Sequence, residues 1–346
     1  MIRNITFDEF IKLDIPVPIA DVRTPAEFAH GHIPGAFNLP LFSKEERVVV
    51  GTTYKQVGRE AAIMLGFDLT GPKWSGYIKK ALEVVPEKRV GVHCWRGGMR
   101  SGAMAWALDL YGFEVYLIEG GYKSYRRWAL NLFEKQYQAL LLGGMTGSGK
   151  TRILNELAGR GEQMIDLEDL ARHQGSAFGS MNKMVQPTQE QFENELAFRL
   201  KDIDAQQTVW LEDESRNIGK LTIPAPLWQQ MSSAPVIDLE VDLKTRIASL
   251  VDEYGQLDKD FLINCTERIH KRLGPVQTKD AIAAIRENRM DEFIRLVLVY
   301  YDKTYWNSLA RKAKDQLFHL DVRDADAAHL TELILAISKT IPFSKI

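Results

Sequence analysis

Residues Gly144-Met145-Thr146-Gly147-Ser148-Gly149-Lys150-Thr151 fit the pattern G-x-x-x-x-G-K-[ST] in full, and nothing else in the chain restricts its fold as much. The pattern works where a buried strand ends and a helix begins. There the backbone N–H groups of a Gly-rich turn converge on phosphate oxygens, and the helix N-terminus adds partial positive charge. Both flanks are present. Ala139-Leu140-Leu141-Leu142 reads as the strand, and Ile153, Leu154 and Leu157 give the following segment a helical apolar face. Gly144, Gly147, Ser148 and Gly149 form the turn, Lys150 neutralises terminal phosphate charge, and Thr151 is placed to ligate Mg²⁺.

A carboxylate that helps hold such a cation belongs at the end of another buried strand. Glu212-Asp213-Glu214 follows Val209-Trp210-Leu211, so Glu212 and Asp213 are the candidates, with Asp213 and Thr151 as the expected Mg²⁺ pair. An ion pair to nearby Arg216 is the alternative. Asp166 and Glu168, after a short strand at Met164-Ile165, are further candidates of the same kind. The motif recognises a phosphate chain, which need not belong to a nucleotide.

A second loop lies upstream, His93-Cys94-Trp95-Arg96-Gly97-Gly98-Met99-Arg100-Ser101, between the strand Val90–His93 and a helix that stops at Gly112. Ala103, Trp106, Ala107 and Leu110 are expected to face the core of that helix. A strand-to-helix turn of this kind can wrap N–H groups around one sulfur. Those donors, together with Arg96 and Arg100, favour thiolate over thiol, which makes Cys94 a nucleophile beside an anion cradle. Cys265 has no such surroundings and reads as structural. Two cysteines in 346 residues rule out a disulfide framework and suit a reducing compartment.

The N-terminal third alternates strands and helices. A strand ends at Asp21-Val22, and Thr24-Pro25-Ala26-Glu27 opens a helix with Thr24 as cap, Pro25 in first position and Glu27 completing a capping box. The strand Val115–Ile118 leads to Gly120-Gly121, and a helix between Tyr122 and Tyr137 reads as a connector. The second β/α pattern runs through Val236–Val241, and after Asp242 the chain is mostly helical apart from Leu317–Leu320. The division expected is 1–136, then 137–242, then a helical extension 243–346.

Apolar residues at 45%, charged residues at 26% and a net charge of −2 describe an ordinary globular chain with no global positive field. No signal segment and no bilayer-length apolar run is present, so no membrane contact and a cytoplasmic location are expected. Between Lys259 and Lys314, however, twelve Lys or Arg stand against seven Asp or Glu.

Asp21-Val22-Arg23, Glu27-Phe28, Gly31-His32-Ile33-Pro34-Gly35-Ala36 and Asn38 resemble the rhodanese signature, with Cys94 in the catalytic position. The Cys94-to-Arg100 span has the C-x₅-R length of the roomier, phosphate-accepting loops among rhodanese relatives. Joined to the P-loop, this resembles the bacterial tRNA 2-selenouridine synthase family. Gly51-Thr52-Thr53-Tyr54-Lys55-Gln56, Glu119-Gly120-Gly121-Tyr122-Lys123, Asp166-Leu167-Glu168, Leu170-Ala171-Arg172-His173, Gly175-Ser176-Ala177-Phe178-Gly179 and Leu211-Glu212-Asp213-Glu214-Ser215-Arg216 extend the likeness over nearly the whole chain.

The resemblance implies an α/β chain, a rhodanese-like domain followed by a P-loop NTPase-like parallel-sheet domain with a mainly helical C-terminal part. It also implies a transferase that converts wobble 2-thiouridine in tRNA to 2-selenouridine through an S-geranylated intermediate. Selenophosphate and geranyl diphosphate would be co-substrates, with no tightly bound cofactor, and Mg²⁺ is an option at the P-loop. Cys94 would carry selenium, with Arg96 and Arg100 as its anion-binding partners, and a selenophosphate-producing enzyme would be a functional partner. For tRNA contact the candidates are Arg126, Arg127, Lys271 and Arg272, with Trp128 and Arg268 nearby. The two loops alone also fit a rhodanese-type phosphatase, an ATP-linked sulfurtransferase acting on a small substrate, or a regulatory binding protein.

Overall fold

Two five-stranded, all-parallel sheets organise the chain. The computed structural model describes residues 1–173, 178, 185–322 and 327–343, so the motif Gly175-Ser176-Ala177-Phe178-Gly179 lies outside the described residues except for Phe178.

The first sheet contains β1 (Ile2–Ile5), β2 (Ile19–Asp21), β3 (Phe37–Asn38), β4 (Arg89–His93) and β5 (Glu114–Ile118), in the order β1-β5-β4-β2-β3. β2 and β4 are buried nearly throughout, as expected of parallel strands covered on both faces. The predicted capping box forms: Thr24 Oγ1 accepts from the Glu27 N–H, and the Glu27 carboxylate accepts from the Thr24 N–H. The helix Met99–Leu110 buries Ser101, Met104, Ala105, Ala107 and Leu108. That phase corrects the expected one. Trp106 and Leu110 lie on the exposed face, and Trp106 meets Trp74 edge-on with ring centroids 6.2 Å apart. Alternation of small and large apolar residues leaves two helical phases open, and packing against β4 and β5 chooses between them.

The second sheet contains β6 (Gln138–Gly144), β7 (Gln163–Ile165), β8 (Thr208–Glu212), β11 (Val236–Glu240) and β12 (Leu317–Asp321), in the order β12-β11-β6-β8-β7. A short antiparallel pair, β9 (Asn217–Ile218) and β10 (Leu221–Thr222), turns at Gly219. Central β6 delivers the P-loop to the helix Lys150–Gly159, whose Ile153, Leu154 and Leu157 are buried as their spacing requires. The C-terminal helices build a core of their own around Phe293, Ile294 and Val297, and Cys265 is buried in it, with its thiol pushed up by that burial.

By contacts, one compact unit comprises Met1–Leu132 with Thr188–Phe198, and the other comprises Phe133–Pro187 with Arg199–Ile346. The helix Gln189–Leu200 thus serves the first unit almost to its end, although it follows β6 and β7 in the chain. Its Asn194 Nδ2 donates to the Tyr122 hydroxyl at 2.7 Å and to the His32 carbonyl at 2.9 Å.

Candidate functional site

At the end of β4 the chain turns through Cys94 under tight backbone constraint. Gly97 has φ 65°, and a Cβ there would come within 2.9 Å of the Gly120 nitrogen. Gly121 has φ 57°, and its Cβ would meet the Cys94 carbonyl oxygen at 2.3 Å. Only glycine fits where the two turns lie back to back. The Tyr122 N–H then donates to the Cys94 carbonyl at 2.8 Å and the Lys123 N–H to the Trp95 carbonyl at 3.0 Å. The Gly120-Gly121 motif therefore fixes the cysteine loop.

The sulfur receives what the loop offers. The Gly98 N–H donates to Sγ at 3.3 Å and the Ser101 hydroxyl at 3.2 Å. Burial pushes the thiol up, but the Ser101 hydroxyl and the N–H groups of Ser101, Gly98 and Arg96 outweigh it and hold Cys94 below its ordinary value. Cys94 is 4% exposed, with the donors turned inward.

Arg100 closes the loop and is itself held by Glu27, Nη1 to Oε2 at 3.0 Å. Arg96 is exposed and contributes its N–H to the sulfur. Beneath the loop, Arg23 pairs with Asp21 at 2.6 Å, donates to the Gly31 carbonyl at 2.6 Å and stacks 3.7 Å over the Tyr122 ring. Both ions are buried, and Asn38 Nδ2 ties the carbonyls of Asp21 and Arg23 together at 2.9 Å each. The Asp-x-Arg signature is thus scaffolding. Neighbouring His93 is fully buried and held below its ordinary value by that burial, so it stays neutral.

In the second unit the P-loop lines a cavity of about 510 Å³ together with Asp166, Glu168, Glu212, Glu214 and Tyr305. Gly147 (φ 82°) and Gly149 (φ 79°) make the turn, and Lys150 Nζ donates to the Gly144 carbonyl at 2.9 Å. Thr151 Oγ1 donates to Glu212 Oε1 at 3.0 Å, while Glu212 Oε2 is buried without a hydrogen-bond partner among the described residues. Asp213, the expected partner of Thr151, is turned to Lys312 at 2.7 Å, a pair that also replaces the alternative with Arg216. Glu212 meets Thr151, whereas Asp213, which also lines the cavity, is taken up by Lys312.

Glu168 and Glu214 join Glu212, with one carboxylate oxygen from each within 4.8 Å of the others. Burial and the charges of Glu212 and Glu214 push Glu168 up to about 10. Burial, only partly opposed by Lys150, pushes Glu212 up to about 7, and Glu214 is raised by burial as well. Three crowded carboxylates with one orphan oxygen suit a divalent cation, which would relieve their repulsion. The expectation centred on Glu212 and Asp213 missed Glu214, whose i, i+2 spacing from Glu212 was the available signal.

The basic candidates separate. Arg126 is not a free cation: its Nη1 donates to Asn194 Oδ1 at 2.6 Å and its Nη2 pairs with Glu193, within the first unit. Arg127, Lys271 and Arg272 are exposed, and Arg272 donates to the Tyr300 hydroxyl at 2.9 Å. Trp95, within the Cys94 loop, is 38% exposed. Among the described residues no helix is long and apolar enough to cross a membrane.

Residues 7–127 match the rhodanese-like domain, and residues 137–333 match the domain described as the tRNA 2-selenouridine synthase AAA domain. A tRNA 2-selenouridine synthase of Nitrosomonas eutropha is 34% identical, covering 91% of this chain and 94% of its own. Those of Sulfurovum sp. and Hydrogenovibrio crunogenus are 35% and 36% identical, covering 90% and 88% of this chain and 93% of each relative. With a cysteine loop on one sheet, a P-loop on the other and this likeness along most of its length, the chain belongs to the tRNA 2-selenouridine synthase family.

Proposed function

We propose that the protein replaces sulfur by selenium at C2 of wobble 2-thiouridine in tRNA, in two steps that use the two loops in turn. The observation that carries this reading is the Cys94 sulfur held between the Gly98 N–H and the Ser101 hydroxyl inside a C-x₅-R loop. A thiolate so held is built to react with a tetrahedral oxyanion.

The first step converts a poor leaving group into a good one. The thiocarbonyl sulfur attacks C1 of geranyl diphosphate, the C–O bond breaks, and diphosphate departs. The P-loop amides and Lys150 stabilise the departing charge. Thr151 and Glu212, with Glu168 and Glu214, would hold Mg²⁺, which supplies further neutralisation of the diphosphate.

The second step takes place at Cys94. Selenium in selenophosphate is already at the selenide level. Transfer to Cys94 as an S–Se⁻ group would expel phosphorus as phosphite, so Cys94 acts on phosphorus and does not carry selenium. Selenium attacks C2, the C2–S bond breaks, and geranylthiol leaves with a proton. The Cys94 thiolate then attacks phosphorus of the Se-phosphorylated base, the Se–P bond breaks, and 2-selenouridine is released. Water cleaves the S–P bond and restores the thiolate. Arg96 and the loop amides receive the phosphoryl oxygens, and Arg100, fixed by Glu27, closes the cradle.

The test separates the loops. Lys150→Ala is expected to lose geranyl transfer yet convert pre-geranylated tRNA, whereas Cys94→Ala geranylates normally and releases no 2-selenouridine. In wild type, ³²P from labelled selenophosphate appears on the cysteine transiently. Normal selenouridine production by Cys94→Ala, or phosphate release independent of tRNA, overturns the proposal, the latter in favour of a phosphatase.

A further inference from the structure

The first unit contains a half-open apolar cavity that none of these steps uses. It measures about 390 Å³ and lies between the helices Lys44–Gln56 and Arg59–Thr70 and the start of the helix Met99–Leu110. Val50, Ala62, Ile63 and Phe67 form one side, and Met99 and Ala103 the other. The Thr70 hydroxyl on its wall is already committed to the Gly66 carbonyl at 2.8 Å. Of its charged liners, Arg100 is held by Glu27 and Arg59 is exposed. The interior therefore offers little to a polar ligand and much to a hydrocarbon.

The rim is apolar too. Of the residues that line it, Phe67 is 57% exposed, Met99 52% and Tyr54 48%. Such a run of exposed apolar side chains around a concavity marks a binding surface, not ordinary scatter. Its position is specific: Met99 and Arg100 belong both to the cavity wall and to the loop that wraps Cys94.

We infer that this cavity binds the isoprenoid chain on the sulfur of the alkylated base and retains it as geranylthiol leaves. The inference rests on the exchange proposed above and adds to it a specificity site. At roughly 30 Å³ per water-sized group, a ten-carbon chain needs about 300 Å³, which the space accommodates. The bond broken at C2 is the same for any S-alkyl group, so discrimination among them must come from the chain. A site that grips the chain also rejects the unalkylated thiocarbonyl.

The full-length protein is assayed for selenium exchange on tRNAs carrying S-methyl, S-dimethylallyl and S-geranyl 2-thiouridine. Expected is a rise in kcat/KM on the order of 100-fold from methyl to geranyl. Ala103→Phe, which fills the cavity, should cost the geranyl substrate about 10-fold or more and leave the methyl substrate within about 2-fold. If that variant does not fold, Phe67→Ala, which deletes an exposed wall, should narrow the same preference. Rates independent of chain length, or equal losses on all three substrates, overturn the inference while leaving the exchange intact. If wild type converts no alkylated tRNA, the exchange reading has failed, and calorimetric titration with geranylthiol decides the cavity alone. Saturable binding abolished by Ala103→Phe supports it. Absence of binding, as a protein-docking surface would give, overturns it.

Discussion

Arg100 reaches across from the end of the Cys94 loop to Glu27 on the helix Pro25–His30, with Nη1 at 3.0 Å from Oε2 and Nη2 at 3.4 Å from Oε1. The same Glu27 caps its own helix through Thr24. One carboxylate thus anchors both a helix start and the cationic end of the cysteine loop. Burial works against its charge, but Arg100 and Thr24 hold it below the usual carboxylate range.

Glu27→Gln keeps the reach of a capping box, because glutamine serves there as well, but removes the charge that orients Arg100. Stability should change by about 1 kcal/mol or less for this partly exposed pair. The rate of exchange on geranylated tRNA should fall about 10- to 100-fold, as misplaced catalytic groups commonly cost. Thermal melts and kcat/KM measured side by side check this. A variant with full activity would show that Arg100 needs no orientation.

Ser101→Ala deletes one of the donors to Sγ. The charged form of Cys94 loses support, so the thiol moves upward and the thiolate fraction at a given acidic or neutral pH shrinks. Alkylation by iodoacetamide at pH 7 should slow by about 10-fold, the effect of one lost hydrogen bond to a charged group. The acid limb of the rate profile should move to higher pH. An unmoved limb would mean that the backbone amides alone set the ionisation.

The carboxylate cluster makes a stability prediction whose sign follows from its raised values. Glu212 and Glu168 hold protons more tightly when folded than unfolded, so their contribution is full below the ordinary carboxylate range near 4.5. It is lost as pH rises through about 7 for Glu212 and on toward about 10 for Glu168. The melting temperature should therefore fall between pH 5 and 9. Glu168→Gln should raise stability at pH 8 by about 1–3 kcal/mol and flatten that slope. Added Mg²⁺ should stabilise wild type at pH 8 and do so less in Glu212→Gln, which melting curves at fixed ionic strength will report.

Among the basic residues, exposure separates contact candidates from scaffolding. Arg127→Glu and Lys271→Glu should each weaken tRNA binding and reduce the slope of log affinity against log salt by about 1. Arg126→Ala should instead loosen the helix Gln189–Leu200, because Arg126 is spent on Glu193 and Asn194. Filter binding across a salt series, with limited proteolysis of Arg126→Ala, distinguishes the two. An unchanged salt slope in both charge reversals would remove these residues from the interface.

Much of this site was legible in the chain because its signals are local. The Gly144–Thr151 loop, the Thr24–Glu27 cap and the strand before Cys94 each depend on residues within one turn of one another, and each appears where the sequence puts it. Legibility ended where a partner lies far along the chain. Nothing near Asp213 announces Lys312, and nothing near Arg126 announces Glu193. The reading of Trp106 and Leu110 as core failed for a related reason. A helix with apolar residues on more than one face has no preferred side until something packs against it.

The sequence by itself determined two parallel α/β architectures, one ending a strand in a cysteine loop and one in a phosphate loop, because strand, glycine turn and helix start are set by short-range sterics and hydrogen bonding. Only the tertiary structure decided which carboxylate faces Thr151, which arginine is free, and that an apolar cavity shares a wall with the Cys94 loop. Those outcomes depend on side chains brought together from distant segments, and burial rather than spacing fixes their charge and orientation.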